Sequence, residues 1–222
     1  MGRVITIGRQ FGSGGHEVGL RLAKRLGYPF YDKELIKLTS ENSRFAEGYL
    51  AKMDEQRPSF LNVGPSGMMS GAGVSSAAVG AVNQFYHLSP NDQIFLATSK
   101  VMHSLAAEGP CVIVGRCADY ILRDLDPVNF FISAKLEDRI ARKLVLDDHK
   151  DMDAKSMEKL IKQTDKNRSK YYEYYSHKVW GDARNYHLCI DTSVVGVDGA
   201  VEIIMKFVEE FRKKNIMPDN LD

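Results

Sequence analysis

The sequence predicts an α/β domain in which helices cover both faces of a parallel sheet. Three observations near the N-terminus carry this prediction: a β-branched run at residues 3–8, a glycine cluster directly after it, and apolar residues at helical spacing over residues 17–26. A second short apolar run at 28–31 precedes a charged helix start at Lys33. Strand, glycine loop, helix, strand and helix in this order are typical of the opening of a doubly wound sheet.

The rest of the chain continues the alternation of strands and helices. Short runs rich in Val and Ile indicate buried strands, and apolar residues that recur at helical spacing indicate helices. On these grounds we predict strands at 111–114, 128–132 and 188–190, and helices at 90–107, 136–146, 153–175 and 198–213. Residues 62–82 consist mainly of Gly, Ser, Ala and Val without period or charge, which predicts a flexible insertion.

Length and charge limit the classes of function. With 222 residues the chain can form one substantial core, and we predict a single domain over 1–222. Because 30 Lys and Arg residues balance 29 Asp and Glu residues, we expect phosphate recognition to be local and expect no nucleic-acid partner. The sequence shows no charged-plus-apolar leader and no apolar run near the roughly 20 residues that span a bilayer. We therefore expect a cytoplasmic protein without a membrane partner.

The glycine loop between the first strand and the first helix is the main functional signal. It lies within the stretch 7–17 and includes Gly12, Gly14 and Gly15. Glycines allow main-chain N–H groups at a helix N-terminus to converge on phosphate oxygens, and the helix dipole favours negative charge at the same place. We therefore predict a site for nucleotide phosphates at residues 12–16.

Two kinds of phosphate loop compete for this stretch. The dinucleotide fingerprint G-x-G-x-x-G requires glycine at position 17, where the chain has Glu17, although Asp32 lies near the position of its ribose-binding acid. The mononucleotide loop G-x-x-x-x-G-K-[ST] fits in length and in placement. However, its first glycine is replaced by Arg9 and its lysine by Gly15.

Motifs along nearly the whole chain resemble those of the nucleoside monophosphate kinases, and most closely those of the cytidylate kinase-like family of bacterial proteins. The stretches that carry the resemblance are ITIGRQFGSGGHE at 5–17, PFYDKELI at 29–36, VIVGRCADY at 112–120, EDRIARK at 137–143 and DKNRSKYY at 165–172. The resemblance implies a three-layer P-loop NTPase-type parallel sheet. It also implies an acceptor-side insertion at about 41–89 and a lid-like helical segment at about 147–185.

The same resemblance implies ATP-dependent phosphoryl transfer to a small acceptor, with a nucleoside monophosphate such as CMP as the expected acceptor. It assigns the donor phosphates to Arg9, Gly12, Ser13, Gly14, Gly15, His16 and Glu17, the acceptor to Asp32 and Arg116, and the transferred phosphoryl group to Arg139, Arg142 and Arg168. Arginine suits these positions because its guanidinium grips phosphate through two N–H groups and keeps its charge.

The expected cofactors are ATP and Mg²⁺, and the sequence does not identify the magnesium ligands. Ser13, Glu17 and Asp32 are candidates because they offer hard oxygen atoms. The six histidines show no spacing typical of a metal site, so we predict no protein metal site. A homodimer is expected only from the general frequency of such assemblies.

Several alternatives remain open at this stage. In cytidylate kinases the loop carries lysine at the position of Gly15 and threonine at that of Glu17, so a nucleotide-binding sensor without turnover is an alternative to a kinase. A kinase of a different small acceptor is a third possibility. Arg139 and Arg142 also fit a solvated helix face with intrahelical ion pairs, and Asp32 also fits a helix cap.

Overall fold

The computed structural model describes residues 4–32, 34–41, 89–145 and 152–216, and within these ranges five parallel strands form one sheet. The strands are β1 (Val4–Arg9), β2 (Phe30–Tyr31), β3 (Cys111–Val114), β4 (Val128–Ser133) and β5 (Leu188–Asp191). Their order across the sheet is β2-β3-β1-β4-β5. The central strand β1 pairs with β3 on one side and β4 on the other. The carboxyl ends of all the strands therefore meet at one edge, where open α/β sheets bind ligands.

Helices connect the strands as the sequence predicts. The α-helices of the described residues are α1 (Gly15–Leu26), α2 (Glu34–Glu41), α3 (Pro90–Glu108), α4 (Ala118–Ile121), α5 (Leu136–Val145), α6 (Ala154–Ser176) and α7 (Thr192–Ile216). Short 3₁₀ turns lie at Arg123–Leu125 and Ala183–Asn185. Within α7, Gly196 has non-helical angles of φ 68° and ψ 178°, so the continuous part of the helix begins close to the predicted start at 198.

Side chains of the buried strands alternate between two apolar clusters. In β3, Val112 and Val114 belong to a cluster with α1 and α7, whereas Cys111 and Ile113 belong to a second cluster with α2 and α3. This alternation follows from the period of two residues along a strand, which sends successive side chains to opposite faces. The sheet therefore lies between two helical layers, and the predicted three-layer α/β fold is confirmed.

The long helix α6 is anchored to the rest of the domain by aromatic side chains. Tyr172 is buried, and the ring of Tyr175 stacks on that of Phe95 in α3 with 3.8 Å between centroids. Stacked and edge-to-face aromatic pairs add stability beyond the area that they bury. This packing fixes the position of α6, which lies within the predicted lid-like segment at 147–185. It thereby also fixes the position of Arg168 in α6.

Two further predictions concern the acceptor-side insertion and membrane-spanning helices. The predicted acceptor-side insertion at 41–89 lies outside the described residues except for Glu41 and Ser89. Of the helices in the described ranges, none combines the length and the apolar character needed to cross a membrane.

Candidate functional site

The glycine loop joins the end of β1 to the start of α1. Gly12 and Gly14 have φ angles of 81° and 82°, in the left-handed region that glycine enters without steric cost. The first helical hydrogen bond of α1 runs from the N–H of Val18 to the carbonyl of Gly14 at 2.9 Å. The N–H groups of residues 15–17 precede that bond, so they have no acceptor within the helix. Donors at the positive end of a helix dipole are suited to phosphate oxygens.

A buried contact, which we term the loop clamp, fixes the glycine loop to two helices. The N–H of Phe11 donates to Oδ1 of Asp165 in α6, and the carbonyl of Phe11 accepts from Nε of Arg139 in α5, both at 2.8 Å. An ion pair between Nη2 of Arg139 and Oδ2 of Asp165 closes the triangle. Because these side chains are only 7% and 17% exposed, solvent screens their attraction little.

The loop clamp decides between two interpretations of Arg139. Its guanidinium is buried and pairs with Asp165, so the alternative of a solvated helix face is wrong for this residue. Arg142 is partly exposed, and its Nη1 lies 3.6 Å from Oε2 of Glu17 in the first turn of α1. The structure therefore places both arginines against the glycine loop, and their contact with a transferred phosphoryl group stays a prediction.

Ser13 is directed into the protein. Its buried hydroxyl donates to the carbonyl of Gln10 at 2.9 Å. Its own carbonyl accepts from the hydroxyl of Thr192, the first residue of α7, at 2.6 Å. These bonds brace the loop against the junction of β5 and α7, and the Ser13 hydroxyl is engaged within the loop.

Arg9, at the end of β1, places a buried cation beside the glycine loop. Its side chain is 10% exposed, and Nη2 lies 3.4 Å from Oδ1 of Asp32. The other oxygen of Asp32 lies 2.6 Å from Nδ1 of His16. Burial raises the pKa of the Asp32 carboxyl, but the hydrogen bond from His16 and the charges of two arginines outweigh this effect and lower the net pKa below its usual value. Asp32 is thus ionised at neutral pH and connects β1 to α1.

A small cavity at the carboxyl ends of β1 and β3 brings three arginines together. Arg9, Arg116 and Arg168 line it, together with Asp119 and aromatic side chains. Arg116 directly follows β3 with a φ of 56°, a backbone conformation that is strained for a residue with a long side chain. Arg168 belongs to α6, and its Nη1 donates to the carbonyl of Arg9 at 3.3 Å. Three guanidinium groups beside the glycine loop create a local positive potential in a chain with almost no net charge.

Asp119 is a partly buried acid in the same cavity, and the sequence did not predict it as part of the site. Tyr172 donates its hydroxyl to Oδ2 of Asp119 at 2.7 Å. Burial raises the pKa of the Asp119 carboxyl above its usual value, although that hydrogen bond acts in the opposite direction. Burial, together with the charge of Asp119, also raises the pKa of Tyr172, so the phenol keeps its proton and remains the donor.

The raised pKa makes Asp119 a source of pH-dependent stability. An acid with a higher pKa in the folded state binds its proton more tightly there, so stability decreases as the pH rises from the unfolded value of about 3.9 through the folded value. We therefore expect the wild type to lose stability relative to Asp119→Asn between about pH 4.5 and pH 7.5. Denaturant unfolding of both proteins at the two pH values measures this change. An equal difference at both values would contradict it.

Magnesium ligands are not gathered by the described part of the chain. In the ranges that the structure covers, no group of three or more His, Cys, Asp or Glu side chains is arranged to hold a metal ion. Of the three candidates from the sequence, Ser13 bonds within the loop, Asp32 contacts Arg9, and Glu17 pairs with arginines. A Mg²⁺ ion held largely by nucleotide phosphates and water is compatible with this arrangement, because Mg²⁺ commonly keeps several waters.

Two carboxylates of the site, those of Asp165 and Asp119, were not predicted from the sequence, and the reasons are identifiable. Asp165 lies three residues before Arg168, a spacing that places both on one face of α6, but its partner Arg139 belongs to another helix. Asp119 lies in α4, a helix too short to show a hydrophobic period. Lys143 has its Nζ 4.7 Å from the centroid of the Phe11 ring, and nothing in its sequence context indicates that contact.

The fold and the loop together define a class of protein. A glycine loop follows the first strand of a parallel β2-β3-β1-β4-β5 sheet, and the chain has the fold of the P-loop kinases. More specifically, the sequence profile of the cytidylate kinase-like family matches residues 4–194, and the chain belongs to that family. No curated protein matches the chain significantly.

Two solved structures show how far the similarity extends. An uncharacterized protein from Eubacterium ventriosum ATCC 27560 is 26% identical, with a TM-score of 0.65 over 93% of this chain and 98% of that one. Shikimate kinase from Bacteroides thetaiotaomicron is 11% identical, with a TM-score of 0.52 over 93% of this chain and 98% of that one. At that level of identity the second similarity concerns the fold alone.

Proposed function

We propose that the chain transfers the γ-phosphoryl group of ATP to a small acceptor, with a nucleoside monophosphate such as CMP as the first candidate. The observation that carries this proposal is the convergence of Arg9, Arg116 and Arg168 on one cavity beside the glycine loop. Phosphoryl transfer requires little covalent help from the protein, because positioning and the neutralisation of negative charge dominate its catalysis. A cluster of guanidinium groups supplies both.

The site divides into a donor side and an acceptor side. On the donor side, the loop and the first turn of α1 offer the main-chain N–H groups of residues 15–17 to the phosphates of ATP. On the acceptor side, Arg116 follows β3 and Asp32 follows β2, the strand next to β3 in the sheet. Arg168 bonds the carbonyl of Arg9 between the two sides, which suits it to the phosphoryl group in transfer. ATP with Mg²⁺ is the expected cofactor pair of such a site.

A nucleotide sensor without turnover is the second candidate, and one specific feature favours it. The oxygen atoms that could hold Mg²⁺ are engaged within the protein: the Ser13 hydroxyl bonds Gln10, and the Asp32 carboxylate contacts Arg9 and His16. A loop that binds phosphates through main-chain N–H groups needs no metal ligand of its own. Turnover with an acceptor is therefore the property that separates the two candidates.

A coupled assay of ADP release separates the two candidates. It combines ATP, Mg²⁺ and a panel of nucleoside monophosphates, and it compares the wild type with Arg116→Ala. We expect turnover with at least one acceptor, and we expect Arg116→Ala to lower kcat/KM for that acceptor roughly 10- to 100-fold, the loss of a charge-assisted hydrogen bond.

Arg123→Ala is the matched control for this substitution. Arg123 lies in the 3₁₀ turn after α4, but it is exposed and lies over the ring of Tyr120 at 4.2 Å from the centroid. It should leave kcat/KM unchanged. If no acceptor raises ADP release while ATP still binds, the kinase proposal fails and the sensor is the better description.

A further inference from the structure

We propose that Arg9 provides the phosphate contact of the lysine that this loop lacks, and that position 15 is glycine because Arg9 occupies the space above it. This inference rests on the proposed function, since it assumes that the glycine loop holds nucleotide phosphates. It explains two departures from the G-x-x-x-x-G-K-[ST] pattern by one cause. These departures are arginine in place of the first glycine and glycine in place of the lysine.

The close approach of Arg9 to Gly15 is the steric basis. A Cβ atom added to Gly15 would lie 2.4 Å from Cβ of Arg9 and 3.0 Å from its Cγ. Separations this short are far below van der Waals contact, and the atoms involved are next to the main chain, where they yield little. Only one of the two positions can therefore carry a long side chain in this backbone. In this chain that position is 9, and in the general pattern it is 15.

The Arg9 guanidinium is placed to take over the charge. Its stem runs across Gly15, where a lysine side chain would begin, and Arg9 lines the same cavity as Arg116 and Arg168. The contact between Nη2 and Asp32 is long, at 3.4 Å. A guanidinium has five N–H donors, so it can keep this contact and also donate to a phosphate oxygen. Asp32 then orients the arginine, and a phosphate oxygen accepts from another of its five donors.

Two other cations near the loop fit this role less well. Lys143 directs its ammonium to the face of the Phe11 ring, with 4.7 Å to the centroid. Arg142 faces the carboxylate of Glu17 at 3.6 Å. A Cβ atom added to the loop glycines would meet Lys143 at Gly12 and Arg142 at Gly14, whereas at Gly15 it would meet Arg9. Lys143 therefore serves as the comparison position in the test.

The test is a set of exchanges between positions 9 and 15, read as the affinity for ADP by calorimetry. We expect Arg9→Met to weaken ADP binding roughly 10- to 100-fold, because it removes a charged hydrogen-bond donor and keeps the length of the side chain. Gly15→Lys alone should also weaken binding, since its Cβ collides with Arg9. The double substitution Arg9→Gly with Gly15→Lys should bind ADP at least about tenfold more tightly than either of its single substitutions.

Lys143→Met and Arg9→Lys are the control variants of this test. Lys143→Met should leave ADP affinity within about threefold of the wild type, as expected for a side chain outside the interaction. If the double variant does not fold by circular dichroism, Arg9→Lys decides, because it should retain more affinity than Arg9→Met.

Two results would overturn the inference while the proposed function stands. In the first, the wild type binds ADP and Arg9→Met binds it equally tightly. In the second, the double variant binds ADP no more tightly than Gly15→Lys. A loss in Lys143→Met without one in Arg9→Met would assign the role to Lys143 instead. If the wild type itself binds no ADP, the proposed function and this inference both fail.

Discussion

Asp165→Ala is expected to destabilise the protein by about 3–5 kcal/mol and to abolish measurable nucleotide binding. The reason lies in the loop clamp. Removal of the carboxylate leaves the buried guanidinium of Arg139 without its ion-pair partner, and it leaves the N–H of Phe11 without its acceptor. Both groups then carry a desolvation cost that the contacts with Asp165 no longer offset. Because Phe11 belongs to the glycine loop, the loss of stability and the loss of binding should occur together.

Glu158→Ala is the matched control in the same helix. Glu158 pairs with Lys162 one turn away on α6, where Lys162 is largely exposed and Glu158 is partly exposed. An exposed pair at this spacing contributes only about 0.3–0.5 kcal/mol. Urea unfolding and ADP titration of the three proteins check the prediction. A cost for Asp165→Ala no larger than that for Glu158→Ala would show that the loop clamp does not hold the loop.

The second large effect is expected from Gly12→Ala. Gly12 has a φ of 81°, and an added Cβ would lie 3.0 Å from the carbonyl oxygen of Arg139 and 3.2 Å from its Cβ. A left-handed residue with a side chain costs roughly 1–2 kcal/mol. Crowding against the main chain of α5 adds to this cost, because a helix backbone cannot move aside as a side-chain end can. We expect the variant to lose stability and to displace the loop enough to lose nucleotide affinity.

Gly27→Ala isolates the conformational part of this effect. Gly27 also has a positive φ, 67°, but an added Cβ meets nothing within 4 Å. It should cost only the roughly 1–2 kcal/mol of the left-handed conformation and leave ADP affinity unchanged. Thermal unfolding and ADP titration of both variants measure the difference. Equal losses of affinity at positions 12 and 27 would contradict the placement of the phosphates on the glycine loop.

Much of the fold could be predicted because it is encoded by local patterns. The strand at Cys111–Val114 was predicted to the residue, since four consecutive buried apolar side chains are bounded by glycine and proline. By contrast, β2 is limited to Phe30–Tyr31, because the N–H of Tyr28 bonds the carbonyl of Ala23 and belongs to the end of α1. Helix α1 begins before its first apolar residue, where glycines give no periodic signal.

The sequence predicts which residues belong to the candidate site, but it does not predict the contacts among them. The glycine loop and Arg116 follow from motifs next to strands that end at one edge of the sheet. The pairing of Arg139 with Asp165 and the approach of Arg9 to Gly15 arise from tertiary packing between distant or facing elements. No spacing in a single sequence records such contacts. From the sequence alone, the missing lysine indicates a lost phosphate contact. In the structure, Arg9 occupies the space where the side chain of that lysine would begin.

The most direct measurement of the central claim is a titration of the ¹⁵N-labelled protein with ADP, followed through the main-chain amide resonances of residues 14–17. We predict that ADP shifts these resonances saturably, that adenosine without phosphates does not, and that the amide of Gly27 at the other end of α1 stays in place. If ADP saturates the protein and the amides of residues 14–17 do not respond, the phosphates bind elsewhere and the proposed site is wrong.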